Sequence, residues 1–259
     1  MNSTYAITEL VKATRRGSPL LFWSALVMLV GSIACYAMPL LDPRLFNGVS
    51  VWEKPAKFFM SLAVLGLTVG WAVSLLQEKA RGVSVATKIL FLAGWIEMAY
   101  IVFRAGRGEG SHFYTATPLA AILYSIMGIF ALALTVFSGF IGWRIWLNRD
   151  GQLMREAAGL GLMLGALLAT LTAGYLSSMQ GHWIGGDQTD ATGLGFFHWS
   201  TTGGDLRVSH FIGLHAMQLM PIAAISGKRR VVYGVGLICI LATVATFVMA
   251  INGVPLLRA

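Results

Sequence analysis

Long apolar runs separated by short polar turns recur along the whole chain. Seven of them approach the roughly 20 residues a helix needs to cross a bilayer, at 18–39, 56–77, 87–106, 117–145, 157–178, 208–226 and 230–252. The pattern predicts an all-α fold: a polytopic membrane protein, a bundle of seven transmembrane helices forming one domain over 1–259. The first run follows a basic segment, and Ser32-Ile33-Ala34-Cys35 resembles a lipoprotein cleavage box. The run is too long for a signal and lacks a leucine three residues before the cysteine, so it is read as a span. Gly66 and Gly70, and Gly161 and Gly165, are GxxxG pairs that let helix backbones approach closely. No internal repeat is visible, so an inverted-repeat transporter gets no support.

Composition agrees: 56% of the residues are hydrophobic and 12% charged, about half the usual charge of a soluble domain. An ordinary cytosolic enzyme is excluded. The net charge of +8 would suggest nucleic acid in a soluble protein, but here Lys and Arg sit at span ends, so the expected partner is the lipid bilayer. With the N-terminus cytoplasmic and the C-terminus outside, the inner side holds Lys12, Arg15, Arg16, Lys79, Arg81, Lys88, Arg144, Arg149, Arg155, Lys228, Arg229 and Arg230, twelve of nineteen basic residues. The positive-inside rule favours that orientation. Cys35 and Cys239 both fall in apolar runs, with no readable metal or disulfide spacing.

The outer loops, 41–55, 106–116 and 178–207, are the long ones, and a loop of about thirty residues is more often functional than idle. All five histidines lie on or near that side: His112, His182, His198, His210 and His215.

Three polar clusters stand where lipid should not tolerate them. Glu97 is near the middle of its span, at a cost of roughly 2.5 to 3.5 kcal/mol unless it faces a partner or water. At about 100° per residue, Tyr100, Arg104 and Arg107 share its stripe, although Arg104 is too far along the axis for a direct bond. Glu97 reads either as a carboxylate neutralised by protonation or by another helix, or as a proton-handling or ligand-binding group, with Tyr100 and His215 as further catalytic candidates. Lys54 and Lys57 follow Trp52 at the start of the second span, with Pro55 suited to a first helical turn. They either snorkel to the headgroups or, with Arg104, Arg107, Arg207 and Gln218, form an anion site. Extended as one helix, Arg207, His215 and Gln218 make the third stripe, while His210 lies about 140° from His215 and reads as a histidine bonded to a neighbouring helix.

The strings from Asn47 to Phe58, Arg107 to Phe113 and Gly203 to Gln218 resemble those of a family of bacterial multi-pass inner-membrane proteins with no assigned activity. The resemblance implies a bacterial inner (cytoplasmic) membrane and says nothing about substrate.

Two functions compete. In the first, a membrane-embedded cofactor- or metal-binding protein, a redox enzyme among the options, holds haem or a divalent transition metal on His112, His182, His210 and His215, imidazole being the commonest ligand. In the second, a transporter or receptor-like protein binds a small anionic molecule on the basic residues, with Glu97 as the proton-coupled group. A scaffold subunit without chemistry is a third reading. A retinal protein is disfavoured, because the last span contains no lysine for a Schiff base.

Overall fold

The computed structural model describes residues 3–76 and 81–258; Lys79 and the expected end of the second span at 77 lie outside them. The chain is a helical bundle: α1 (Ser3–Gly17), α2 (Pro19–Ala37), α3 (Glu53–Ser74), α4 (Val83–Gly106), α5 (Pro118–Leu147), α6 (Leu153–Ser178), α7 (Leu206–Leu214), α8 (Ala216–Ala224) and α9 (Arg229–Ile251). Among the described residues, six helices are long and apolar enough to cross a membrane: α2 with its 3-10 extension to Leu40, α3, α4, α5, α6 and α9.

Helix starts follow local chemistry. Ser18 and Thr117 cap α2 and α5 through their side chains, each followed by a proline that needs no hydrogen-bond acceptor at that point. The α3 helix starts at Glu53, three residues before the expected boundary, which places Lys54, Pro55 and Lys57 in its first turns.

The expected sixth span is not one helix. α7 and α8 are nine residues each and meet at His215. The hydrogen-bond ladder runs as far as the His215 N–H on the Phe211 carbonyl and resumes with the Gln218 and Leu219 N–H groups on the His215 carbonyl. Pro221 inside α8 also has no N–H to give to Met217. Facing this break, α6 is stripped of side chains. A Cβ on Gly161 would stand 2.8 Å from the Ala216 carbonyl oxygen, and one on Gly165 would stand 2.5 Å from Met217 Cγ. The other GxxxG pair packs α3 on the N-terminal helices, with Gly66 against Leu21 and Ala25 and Gly70 against Thr14.

One half of the bundle is an apolar core of Leu21, Val69, Leu90, Ile141, Leu162 and Met217. The other end is covered by the loops. Leu45–Phe46 (β1) and Val49–Ser50 (β2) form a hairpin around Asn47 and Gly48, both at positive φ, the backbone such a two-residue turn demands. The 178–207 loop pairs Trp183–Ile184 (β3) with Gly204–Asp205 (β4). The two loops are joined, since the Asn47 carbonyl accepts from the Asp190 N–H at 2.9 Å and from Thr189 Oγ1 at 3.0 Å.

Candidate functional site

Beneath those loops, the structure sorts the candidate residues into paired and unpaired groups. Glu97, on α4, is 3% exposed, and neither carboxylate oxygen has a hydrogen-bond partner among the described residues. Tyr100, one turn on, likewise has an unpartnered buried hydroxyl. Lys54, in the first turn of α3, is within electrostatic reach of Glu97, Asp190 and Arg207. Its ammonium lies 5.9 Å from the centroid of the Phe58 ring and makes no ion pair among the described residues.

The arginines, in contrast, are paired, although the buried Nη2 of Arg104 has no hydrogen-bond partner among the described residues. Arg104 is 6% exposed. It pairs with Glu109 at 2.7 Å, donates Nε to the Gly110 carbonyl at 3.0 Å and stacks 4.1 Å from the Tyr114 centroid, so it closes the 107–116 turn. Arg107 follows the last residue of α4, is exposed and shares Glu109 at 3.0 Å. Arg207 donates to Asp205 at 2.7 Å, to Asp190 at 2.9 Å and to the His198 carbonyl at 2.6 Å. Asp205 is also the N-cap of α7, accepting from the Arg207 N–H and, with its other oxygen, from the Ser200 N–H. Lys57 is paired with Glu53 at 3.0 Å, and Glu53 faces His198 at 3.3 Å.

The histidines divide the same way. His112 packs 5.1 Å from Phe58, with Ser111 Oγ 3.0 Å from its Nδ1. Burial, reinforced by Lys54 and the neighbouring His182, holds it well below the usual imidazole range, so it is neutral at pH 7. Phe113 bridges the two imidazoles, with centroids 6.0 Å from His112 and 6.5 Å from His182. Burial lowers His182 as well, despite Asp190 at 3.9 Å, and its Nε2 has no hydrogen-bond partner among the described residues. Burial pushes the Asp190 carboxyl up, and His182 and Arg207 outweigh it, leaving Asp190 below the ordinary carboxylate range.

His210 and His215 are elsewhere engaged. His210 Nδ1 is 3.1 Å from Thr172 Oγ1 on α6, and His215 Nδ1 is 2.7 Å from the Phe211 carbonyl, with its ring centroid 4.0 Å from that of Phe211 at a 35° tilt. Gln218 donates to Thr68 on α3 at 3.0 Å. The expected Arg207, His215 and Gln218 stripe therefore serves three separate partners. Among the described residues, no group of three or more His, Cys, Asp or Glu side chains could hold a metal ion.

What sequence reading missed is the acid side of the network: Glu53, Glu109, Asp190 and Asp205. A signal existed, since six of the eleven acidic residues, Asp42, Glu53, Glu109, Asp187, Asp190 and Asp205, lie in or beside the long loops 41–55, 106–116 and 178–207. They equal in number the six basic residues there, Arg44, Lys54, Lys57, Arg104, Arg107 and Arg207, and pair with several of them. No protein-family model matches the chain, and no curated protein or solved structure does.

Proposed function

We propose that this chain crosses a bacterial cytoplasmic membrane seven times, α7 and α8 together supplying one crossing, with its N-terminus inside and its C-terminus outside. In this reading it binds a small anionic molecule in its outer half, at Lys54, with Glu97 as the proton-exchanging group. The observation that carries the reading is the pair of unmatched charges: a buried carboxylate with two unpartnered oxygens and, within its field, an ammonium with no ion pair. Such groups are costly in a low-dielectric interior and persist where function uses them. Tyr100 and the neutral imidazoles of His112 and His182 add uncharged hydrogen-bonding groups around them.

The coupling follows from Coulomb's law. While Glu97 is ionised, it satisfies part of the Lys54 charge and repels an incoming anion. Protonation of Glu97 frees Lys54, so anion binding takes up a proton and tightens as pH falls. The cofactor reading draws less support, because His210 and His215 are committed to Thr172 and to the Phe211 carbonyl, leaving His112 and His182 as the available imidazoles.

The test is thermal stabilisation of the purified full chain by acetate, benzoate and inorganic phosphate at pH 5.5 and 7.5. Wild type should be stabilised by at least one anion, more strongly at pH 5.5. Glu97→Gln should bind with no such pH dependence, and Lys54→Gln should lose the effect. Absence of stabilisation by every anion, or an unchanged pH dependence in Glu97→Gln, would overturn the proposal.

A further inference from the structure

The end of the bundle opposite Glu97 holds a second charge imbalance. There the 148–152 turn joins α5 to α6, and the 225–228 turn joins α8 to α9. Six cations lie at these turns, Arg144, Arg149, Arg155, Lys228, Arg229 and Arg230, against two carboxylates, Asp150 and Glu156. Both carboxylates are in use. Asp150 pairs with Arg155 at 3.1 Å. Glu156 is 5% exposed, binds Arg229 at 2.9 Å and accepts the Tyr233 hydroxyl at 2.5 Å. Among the described residues, Arg144, Arg149, Lys228 and Arg230 have no carboxylate partner.

The two turns are linked through α6, because Glu156 holds Arg229 and the Tyr233 hydroxyl of α9 while the adjacent Arg155 pairs with Asp150 of the other turn. Arg155, only 8% exposed, keeps its Nε without a partner, as does Arg144. Helix dipoles explain part of this placement. Arg144 suits the C-terminal end of α5, but Lys228, Arg229 and Arg230 crowd the N-terminal end of α9, where the dipole favours an anion. The surroundings are amphipathic. Arg149 stacks 4.2 Å from the Trp146 centroid and Arg144 lies 5.6 Å from that of Trp143, while exposed Leu147 at the end of α5 and Ile225 in the second turn provide apolar surface.

We propose that this end binds the phosphate of an anionic phospholipid, held by the four cations that no carboxylate neutralises. A free phosphate would satisfy the charge but leave the rings and aliphatic surface unused. A phospholipid satisfies both, and basic pockets between helix ends are suited to such headgroups. The site is independent of Lys54 and Glu97, so its fate does not depend on the anion reading above.

The experiment uses the full chain in a neutral detergent, with bound lipid counted by native mass spectrometry and stability followed by thermal denaturation. Phosphatidylglycerol should bind and raise the Tm, phosphatidylcholine should do so far less, and millimolar inorganic phosphate should not displace phosphatidylglycerol. R144Q/R149Q should weaken phosphatidylglycerol binding about tenfold or more, and R258Q, past the far end of α9 from Arg229 and Arg230, should leave it unchanged. Should R144Q/R149Q fail to fold, K228Q/R230Q, at exposed positions, makes the same test. Equal binding of the two lipids, wild-type affinity in the charge-removed variant, or displacement by inorganic phosphate would each overturn the proposal.

Discussion

Arg207 shows how a single residue changes meaning between sequence and structure. As a cation near a histidine-rich loop it reads as an anion receptor, yet its Nε and both terminal nitrogens already donate to Asp205, Asp190 and the His198 carbonyl. Its partner Asp205 has a side chain only 1% exposed. Removing the guanidinium leaves that carboxylate buried without its counter-charge, held by the Ser200 and residue-207 N–H groups alone, a loss of about 3 kcal/mol for a broken buried pair. Arg207→Gln should therefore lower the Tm and open the 178–207 loop to limited proteolysis. Arg207→Lys should recover only part of the stability, because one ammonium cannot reproduce the planar fork. A wild-type Tm and cleavage pattern in Arg207→Gln would show that the loop is held otherwise. Depth in the membrane identified Glu97 from sequence, since a carboxylate amid apolar residues needs no fold to be conspicuous. The Arg207 to Asp190 pair spans seventeen residues of loop and becomes visible only once β3 meets β4.

Among the elements, the broken helix at His215 carries the clearest lesson. Its residues pass for an ordinary span, and Pro221 suggests the obvious place for a break, but the ladder interrupts six residues earlier. The sequence did hold the complementary half of the arrangement in Gly161 and Gly165, whose missing side chains let α6 touch the broken segment. A methyl group at 165 would meet Met217 Cγ at 2.5 Å and the Leu214 carbonyl oxygen at 2.9 Å. Overpacking of this kind costs about 1 to 3 kcal/mol. Gly165→Ala should accordingly lower the Tm in detergent. Gly174→Ala, on the same helix, is the control, because a Cβ there would meet nothing within 4 Å. Equal Tm values for the two variants would mean that α6 is free to move away from the break. The N-terminal helix α1 went unread for a different reason: its apolar residues Ile7, Leu10 and Val11 are exposed rather than buried, and its basic residues dominate the local pattern.

For the molecule as a whole, every functional assignment turns on which end faces out. The expected orientation rests on loop charge, and the loops have distinct architectures at the two ends. Short turns at 148–152 and 225–228 carry unneutralised cations, whereas at the other end acidic residues pair with the bases of the long loops. The positive-inside rule counts Lys and Arg near the span ends and not net charge, so the expected orientation rests on the number of cations at the short-turn end and not on their pairing. Single-cysteine labelling in intact cells measures it cleanly, because the native Cys35 and Cys239 are buried, at 7% and 2% exposure, and give little background. Ala116→Cys and Gln188→Cys, both at exposed positions in the long-loop end, should react with a membrane-impermeant maleimide. Gln152→Cys, exposed in the short turn between α5 and α6, should react only after the membrane is permeabilised. The reverse pattern would put Lys54, Glu97 and the loop histidines on the cytoplasmic side. Any anion bound there would then be drawn from the cell interior, with Glu97 exchanging its proton with the cytoplasm.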